Sequence, residues 1–393
     1  MFNPSSCGPE RVRYDVLDGM RGVAALCVMV RHFSVGSILD NAATSVDLFF
    51  VLSGFVIAHS YGERLRSGMT VLEYMGRRLI RLYPMFLIGV LIGAPVLYFV
   101  AKAGLADYSK RDIAGSLIYN SLFLPYLSSK GVRDMGADTT TFGEIFPADP
   151  PAWSLFFELV ASLAFVILFT LRRNALIKII LTSYAALLLS AVLSSFIEYR
   201  QNLDIGQGWG TSNFLIGFPR VLFGFSLGIL LYSWLHTEYY SKVSTFARQY
   251  VRSPYLLYGM FVVIVAIPNT FGIFGDLYSV LILVSVVPCL VFIGAAVRCD
   301  RGFDLAIAKF LGWISYPVYC LHFPIGRAVF LWARSDHWLQ AEAAFVSIAA
   351  TLVAVIVLTR FYEEPTRAYL TRKLLAYIKP QGSMHWSQGE LKR

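Results

Sequence analysis

Leu17-Asp18-Gly19-Met20-Arg21-Gly22-Val23-Ala24-Ala25-Leu26-Cys27-Val28-Met29-Val30-Arg31-His32 opens an apolar stretch long enough to cross a bilayer, yet Arg21 and His32 lie inside it. Eleven residues at 100° each amount to about 1100°, three turns and roughly 20°, so both side chains leave one face of a single helix. At about 1.5 Å per residue they stand roughly 16 Å apart along it, near half the hydrocarbon thickness. Ionisable groups at membrane depth cost free energy and mark functional sites by default. A guanidinium toward one face and an imidazole three turns deeper predict a site that reaches across the membrane.

The rest of the chain is built to the same pattern. Of 393 residues 56% are hydrophobic, 15% aromatic and only 15% charged, and the mean hydropathy is +0.60. That composition excludes an ordinary soluble domain and predicts an all-α, polytopic membrane helical bundle. Apolar stretches run over Leu17–Val35, Ser45–Tyr61, Leu82–Ala101, Ala152–Leu171, Ile179–Ile197, Ser212–Leu235, Leu256–Pro268, Leu277–Val297, Leu311–Ala333 and Ala343–Thr359. They make about ten spans, or nine if the short seventh does not cross. With both termini cytoplasmic, most of the 34 lysines and arginines fall on the inner side. The outer loops keep few, among them Lys102, Lys130 and Arg133. The net charge of +9 is thus a topology signal and needs no nucleic-acid partner.

No cleavable signal peptide is expected, because Arg21, Arg31 and His32 interrupt the first apolar run. The five cysteines give no disulfide framework. Three segments follow: a cytoplasmic N-terminal segment 1–16, a transmembrane domain 17–367, and a basic cytoplasmic tail 368–393 expected to be disordered. The one sizeable outer loop, 101–150, carries an apolar stretch Ile113–Tyr126 suited to the interface or to dipping inward.

Within the spans the topology places His32, Asp47 and Glu158 in the outer half. A carboxylate holding one imidazole nitrogen fixes the tautomer and raises the basicity of the other, as a general base for a hydroxyl requires. Asp47 is the expected partner of His32. On the inner side, Arg77, Arg78 and Arg81 precede Tyr83-Pro84, and Arg78 and Arg81 share a helix face. Guanidinium forks match phosphate oxygens, so this cluster suits the phosphates of coenzyme A, or else is a plain positive-inside anchor. Gly224-Phe225-Ser226-Leu227-Gly228 matches a nucleophile-elbow pattern but lies in a membrane helix, where Gly224/Gly228 read as a packing face. No His/Cys spacing suits a metal.

At these residues the sequence resembles the membrane-bound acyltransferase family 3, bacterial enzymes that acylate surface glycans, lipopolysaccharide, nodulation factors and some macrolides. Leu17-Asp18-Gly19-Met20-Arg21-Gly22-Val23-Ala24-Ala25 resembles the family's opening motif, and Arg21 with His32 its Arg-x10-His pattern. Val46-Asp47-Leu48-Phe49-Phe50-Val51-Leu52-Ser53-Gly54-Phe55 resembles its second span, and Arg78 with Arg81 its R-x-x-R. Trp153-Ser154-Leu155 with Glu158, Trp313-Ile314-Ser315-Tyr316-Pro317-Val318-Tyr319 with His322, and Tyr362-Glu363-Glu364-Pro365 follow in the family's order.

The resemblance implies that His32 is the essential histidine, Arg21 its motif partner and Asp47 the essential acid. It implies Arg78 and Arg81, with Arg77 beside them, as acyl-CoA contacts. Glu158 and Trp153 would line the acceptor site, where the membrane-embedded Arg220 and His322 are also placed; Ser53-Gly54 would serve close helix packing. The expected activity is transfer of an acyl group, most simply acetyl, from cytoplasmic acetyl-CoA or another acyl-CoA to a hydroxyl of a surface polysaccharide or lipid-linked oligosaccharide in the bacterial inner membrane. No permanently bound cofactor is expected. Acylation of a small metabolite such as a macrolide by the same site, and a proton-coupled transporter or flippase, are the alternatives. A homo-oligomer, polysaccharide-assembly partners, and a partner completing the transfer that some relatives assign to an appended domain are left open.

Overall fold

A computed structural model describes residues 13–378 apart from 35–37, 134–139, 198–202, 204, 236, 252, 269–272 and 300–301. Its helices are α1 (Asp15–Phe33), α2 (Ser45–Arg66), α3 (Val71–Lys102), α4 (Lys110–Ser121), α5 (Trp153–Leu168), α6 (Arg173–Ile197) and α7 (Gly217–Trp234). They continue as α8 (Glu238–Tyr250), α9 (Pro254–Ala266), α10 (Ile273–Leu281), α11 (Val287–Gly294), α12 (Gly302–Ser335), α13 (Gln340–Leu358) and α14 (Glu364–Ile378). A two-stranded antiparallel hairpin, β1 (Gly131–Arg133) and β2 (Thr140–Phe142), sits in the outer loop. The chain is a polytopic helical bundle, and every apolar stretch read from the sequence falls on helix.

Among the described residues seven helical segments are long and apolar enough to cross a membrane. The first and ninth stretches form α1 and α12, which carry the charges Arg21, Arg31 and Arg327. The seventh is α9, whose 13 residues reach about 20 Å and fall short of a full crossing. The eighth is interrupted by a π-helical turn, Ile282–Val286. Pro288, which has no N–H to donate, begins the next helix there.

Helices α3 and α12 have 32 and 34 residues, about 50 Å each, against roughly 30 Å of hydrocarbon. Both are therefore longer than a perpendicular crossing needs. Helices α13 and α14 join through a second π-helical turn, Thr359–Glu363, into one rod over Gln340–Ile378. Residues 368–378, expected in a disordered tail, are thus the end of α14. Leu374 lies against Gly76 of α3 and gives that helix an apolar surface to dock on. Residues 1–12 of the N-terminal segment and 379–393 of the tail lie outside the described residues.

Two close helix pairs frame the site. Gly22 of α1 faces the backbone of Leu311 in α12, so a Cβ there would overlap the Leu311 carbonyl. Gly54 of α2 likewise meets the Phe225 carbonyl of α7, and Gly228 meets that of Val51. The Ser53-Gly54 and Gly224/Gly228 positions are packing faces, as their small-residue spacing predicts. In the outer loop α4 is closed by a capping box between Ser109 and Asp112. Buried Asn120 donates to the carbonyls of Leu124 and Ile145, tying α4 to the entry of α5.

Candidate active site

His32 occupies the last turn of α1 and faces α12. Its Nδ1 lies 2.9 Å from Nε2 of His322, with the rings nearly parallel at 12°. Nδ1 of His322 lies 2.8 Å from the carbonyl oxygen of Val318, one turn back on the same helix. A carbonyl only accepts, which assigns the His322 proton to Nδ1 and leaves its Nε2 as the acceptor. In the neutral pair His32 must then donate through Nδ1–H, and its Nε2 carries the lone pair. His322 is fully buried, whereas His32 lines an outer cavity of about 360 Å³. A helix carbonyl thus sets the tautomer of a base that faces open space.

The expected Asp47–His32 pair is not formed. Asp47, in the first turn of α2, accepts from Arg220 Nε at 2.8 Å and Nη2 at 2.9 Å. Both side chains are buried. A buried carboxylate needs a compensating charge and partners for both oxygens, which a guanidinium fork supplies and one imidazole N–H does not. Arg220 also donates to the Gln207 carbonyl at 3.1 Å and sits 5.3 Å over the Trp153 ring. Arg220 and Trp153, both expected at the acceptor site, line the outer cavity, and Asp47 reaches that cavity through Arg220. His322 holds the base, a different place from the acceptor role expected of it.

Sequence reasoning missed Glu144 and Tyr319, which also line this cavity. Glu144 lies 3.4 Å from Arg327, whose Nη1 donates to the Pro147 carbonyl at 2.8 Å. The signal for Glu144 was Arg327 itself, a membrane-depth cation in want of an anion. A backbone bridge between Glu144 and Gly210 joins two outer loop segments over the cavity. The Thr211 hydroxyl strengthens that closure, bonding the carbonyls of Ser128 at 2.8 Å and Gly143 at 3.0 Å.

The arginine cluster divides. Arg77 pairs with Glu73 at 2.8 Å within α3. Arg78 is buried and pairs with Glu158 at 2.5 Å, with its Nε donating to the Ser162 hydroxyl at 3.2 Å. Ser53 donates to the same Glu158 oxygen at 2.6 Å. Arg78 is therefore committed to a buried carboxylate, because a bare buried guanidinium is costly, and Arg77 to a partner one turn back on its own helix. Arg81 is exposed and makes no ion pair among the described residues.

Arg81 stands where two cavities meet. One is a wide inner cavity of about 600 Å³, lined by Arg13, Lys309, Arg360 and Arg367 together with Asp18, Glu363 and Glu364. The π-helical turn Thr359–Glu363 forms part of its wall, a distortion frequent at functional sites. The other is a narrow waist of about 40 Å³ bordered by Arg21, Glu158, Phe49, Tyr316 and Tyr319. Arg81 and Tyr316 border both the inner cavity and the waist; Tyr319 borders both the waist and the outer cavity of His32. Arg21 borders the waist and His32 the outer cavity, and Tyr319 is common to both linings. Glu158 belongs to the waist, not beside His32: it lies five residues into α5, about 7.5 Å below Trp153, where Arg78 meets it.

The bundle thus carries an imidazole pair beside one cavity and a basic second cavity, with a narrow space between them. A family model of the acyltransferase 3 family, described as an acyltransferase domain, matches residues 14–360, and the chain belongs to that family. The chain is similar to acyltransferase MdmB of Streptomyces mycarofaciens, 25% identical over 93% of this chain and 94% of the relative. It is also similar to protein 2 in the picA locus of Rhizobium radiobacter, 36% identical over 40% of this chain and 82% of the relative. No solved structure matches it. The chain is therefore a multi-pass membrane acyltransferase, and the transporter alternative is set aside.

Proposed function

We propose that the chain moves an acyl group from acyl-CoA, bound from the cytoplasm in the inner cavity, to a hydroxyl of a surface polysaccharide or lipid-linked glycan that enters the outer cavity. The observation that carries this reading is the His32–His322 pair opening on a cavity that shares Tyr319 with the waist, which in turn shares Arg81 and Tyr316 with the basic cavity. Of the three expected donor contacts this reading keeps Arg81 and adds Lys309, neither of which makes an ion pair among the described residues. Coenzyme A carries a pyrophosphate and a sugar phosphate, and these two cations, with Arg360 and Arg367 nearby, suit them.

His32 Nε2 removes the acceptor hydroxyl proton as that oxygen attacks the thioester carbonyl. The new C–O bond forms, the C–S bond breaks, and the proton passes from His32 to the departing thiolate, giving free coenzyme A. Arg21, in the waist and without an ion pair among the described residues, lies on the donor's side, about three turns from His32. Aromatic side chains of the outer cavity, Trp153 and Trp209, offer ring faces to a sugar, and Glu144 a hydrogen-bond acceptor. On this reading the enzyme works in the bacterial inner membrane.

The test supplies radiolabelled acetyl-CoA to inverted membrane vesicles of the host and reads alkali-labile label in saccharide. Label dependent on the intact protein and lost in His32→Ala, with the variant still inserted, is the expected result. Equal labelling by His32→Ala would remove His32 from the mechanism.

A further inference from the structure

We propose that the inner cavity takes the nucleotide end of the donor and stacks its adenine on Trp313; the proposal rests on the donor reading above. Anion binding alone would ask only for cations. This cavity sets two aromatic rings, Phe310 and Trp313, and three carboxylates, Asp18, Glu363 and Glu364, among its cations. Aromatic side chains are what a base stacks on. At about 600 Å³ the cavity lies within the range of small-molecule and cofactor sites.

The indole is held in place by the protein itself. Its Nε1–H donates to Glu364 Oε1 at 3.0 Å, and the other oxygen of Glu364 accepts from Arg360 at 3.1 Å. That N–H is the one polar group of a tryptophan side chain, so with it spent Trp313 has ring surface left to offer. The half-exposed Phe310 ring stands 6.1 Å from it at 36° and extends that surface toward the start of α12.

The charges fall where a nucleotide needs them. Glu363 is answered by Arg367 at 3.2 Å and Asp18 by Arg13 at 3.9 Å. Arg81 and Lys309 are left without an ion pair among the described residues. Lys309 lies four residues before Trp313, about 6 Å along α12, while Arg81 borders the waist together with Tyr316, one turn after Trp313. Adenine on Trp313 thus has an open cation on the inner side for the sugar phosphate and another on the waist side for the pyrophosphate. From Trp313 to His322 is a further nine residues, about 14 Å along α12, for the pantetheine arm to cross.

The experiment titrates the purified full chain in lipid nanodiscs with coenzyme A and with phosphopantetheine, which lacks the adenosine, and reads the dissociation constants by calorimetry. Trp313→Ala is expected to weaken coenzyme A at least about fivefold, the low end of what a base–aromatic stack is worth, and to leave phosphopantetheine unchanged. Trp313→Phe keeps a ring and is expected to stay within about threefold of the unaltered protein for coenzyme A. If Trp313→Ala lowers the folded yield, tryptophan fluorescence decides: coenzyme A quenches the unaltered protein more than Trp313→Phe, and phosphopantetheine quenches both alike. Coenzyme A affinity unchanged in Trp313→Ala, both ligands weakened equally, or equal quenching by coenzyme A in Trp313→Phe overturns the adenine subsite, while coenzyme A binding keeps the donor site. Failure of coenzyme A to bind the unaltered protein overturns the donor reading, and the subsite with it.

Discussion

Removing the Asp47 carboxylate, by Asp47→Asn, distinguishes a structural anchor from an acid that serves His32. In the structure the carboxylate is closed on Arg220 by two hydrogen bonds, 2.8 and 2.9 Å, with both side chains almost fully buried. Breaking such a pair from one side leaves a guanidinium without charge compensation and costs about 3–5 kcal/mol. Thermal unfolding in detergent should fall by something on the order of 5–10 °C. Arg220→Met should fall by a similar amount, since it strands Asp47 and frees the Gln207 carbonyl.

The pair Asp47→Asn with Arg220→Met should recover much of that loss, because neither charge is then left alone. Activity should not recover with it. Without Arg220 the Gln207 segment and Trp153 lose their common support, so the acceptor KM should stay raised. An Asp47→Asn protein with an unchanged melting temperature and abolished turnover, insensitive to Arg220→Met, would refute the anchor and restore Asp47 to the side of His32.

Other substitutions probe separate parts of the site. His322→Ala should lower kcat by about 10²-fold or more while leaving the acceptor KM nearly unchanged, since it frees the His32 tautomer; steady-state kinetics against acceptor concentration shows whether kcat moves alone. Arg81→Ala should raise the KM for acyl-CoA far more than that for acceptor, whereas Arg78→Ala should chiefly reduce the folded yield by stranding Glu158. Equal effects on both substrates would make Arg81 a topological anchor. Gly54→Val should cost at least about 1–3 kcal/mol, because its side chain would enter the Phe225 carbonyl and push α2 from α7; a melting temperature equal to that of the unaltered protein would contradict that packing.

What was legible in the sequence follows from range. Apolar run length and helical period are local quantities, so the bundle and the shared face of Arg21 and His32 could be read directly. The partner of His32 could not. His322 is 290 residues away along the chain, and nothing in the period of α12 tells which helix it faces. Asp47 was the acid that the span topology placed across one short loop from His32, and that placement misled because Arg220, 173 residues on, reaches it across the α2–α7 packing face. Arg78 and Arg81 looked equivalent on one helix face. Only the arrival of Glu158 from α5 separates a buried ion pair from an open cation. The helical end of the tail was hidden for the same reason, since Leu374 gains its purpose from Gly76 on another helix.

The proposed acyl transfer to a surface glycan runs through His32. Its most direct measurement is proton NMR of alkali-labile O-acetyl groups on the host's surface polysaccharide, comparing a gene deletion, its complement, and a complement carrying His32→Ala. An acetyl signal lost in the deletion, restored by the intact gene and not by His32→Ala, is the predicted result. A spectrum unchanged across the three strains would contradict it.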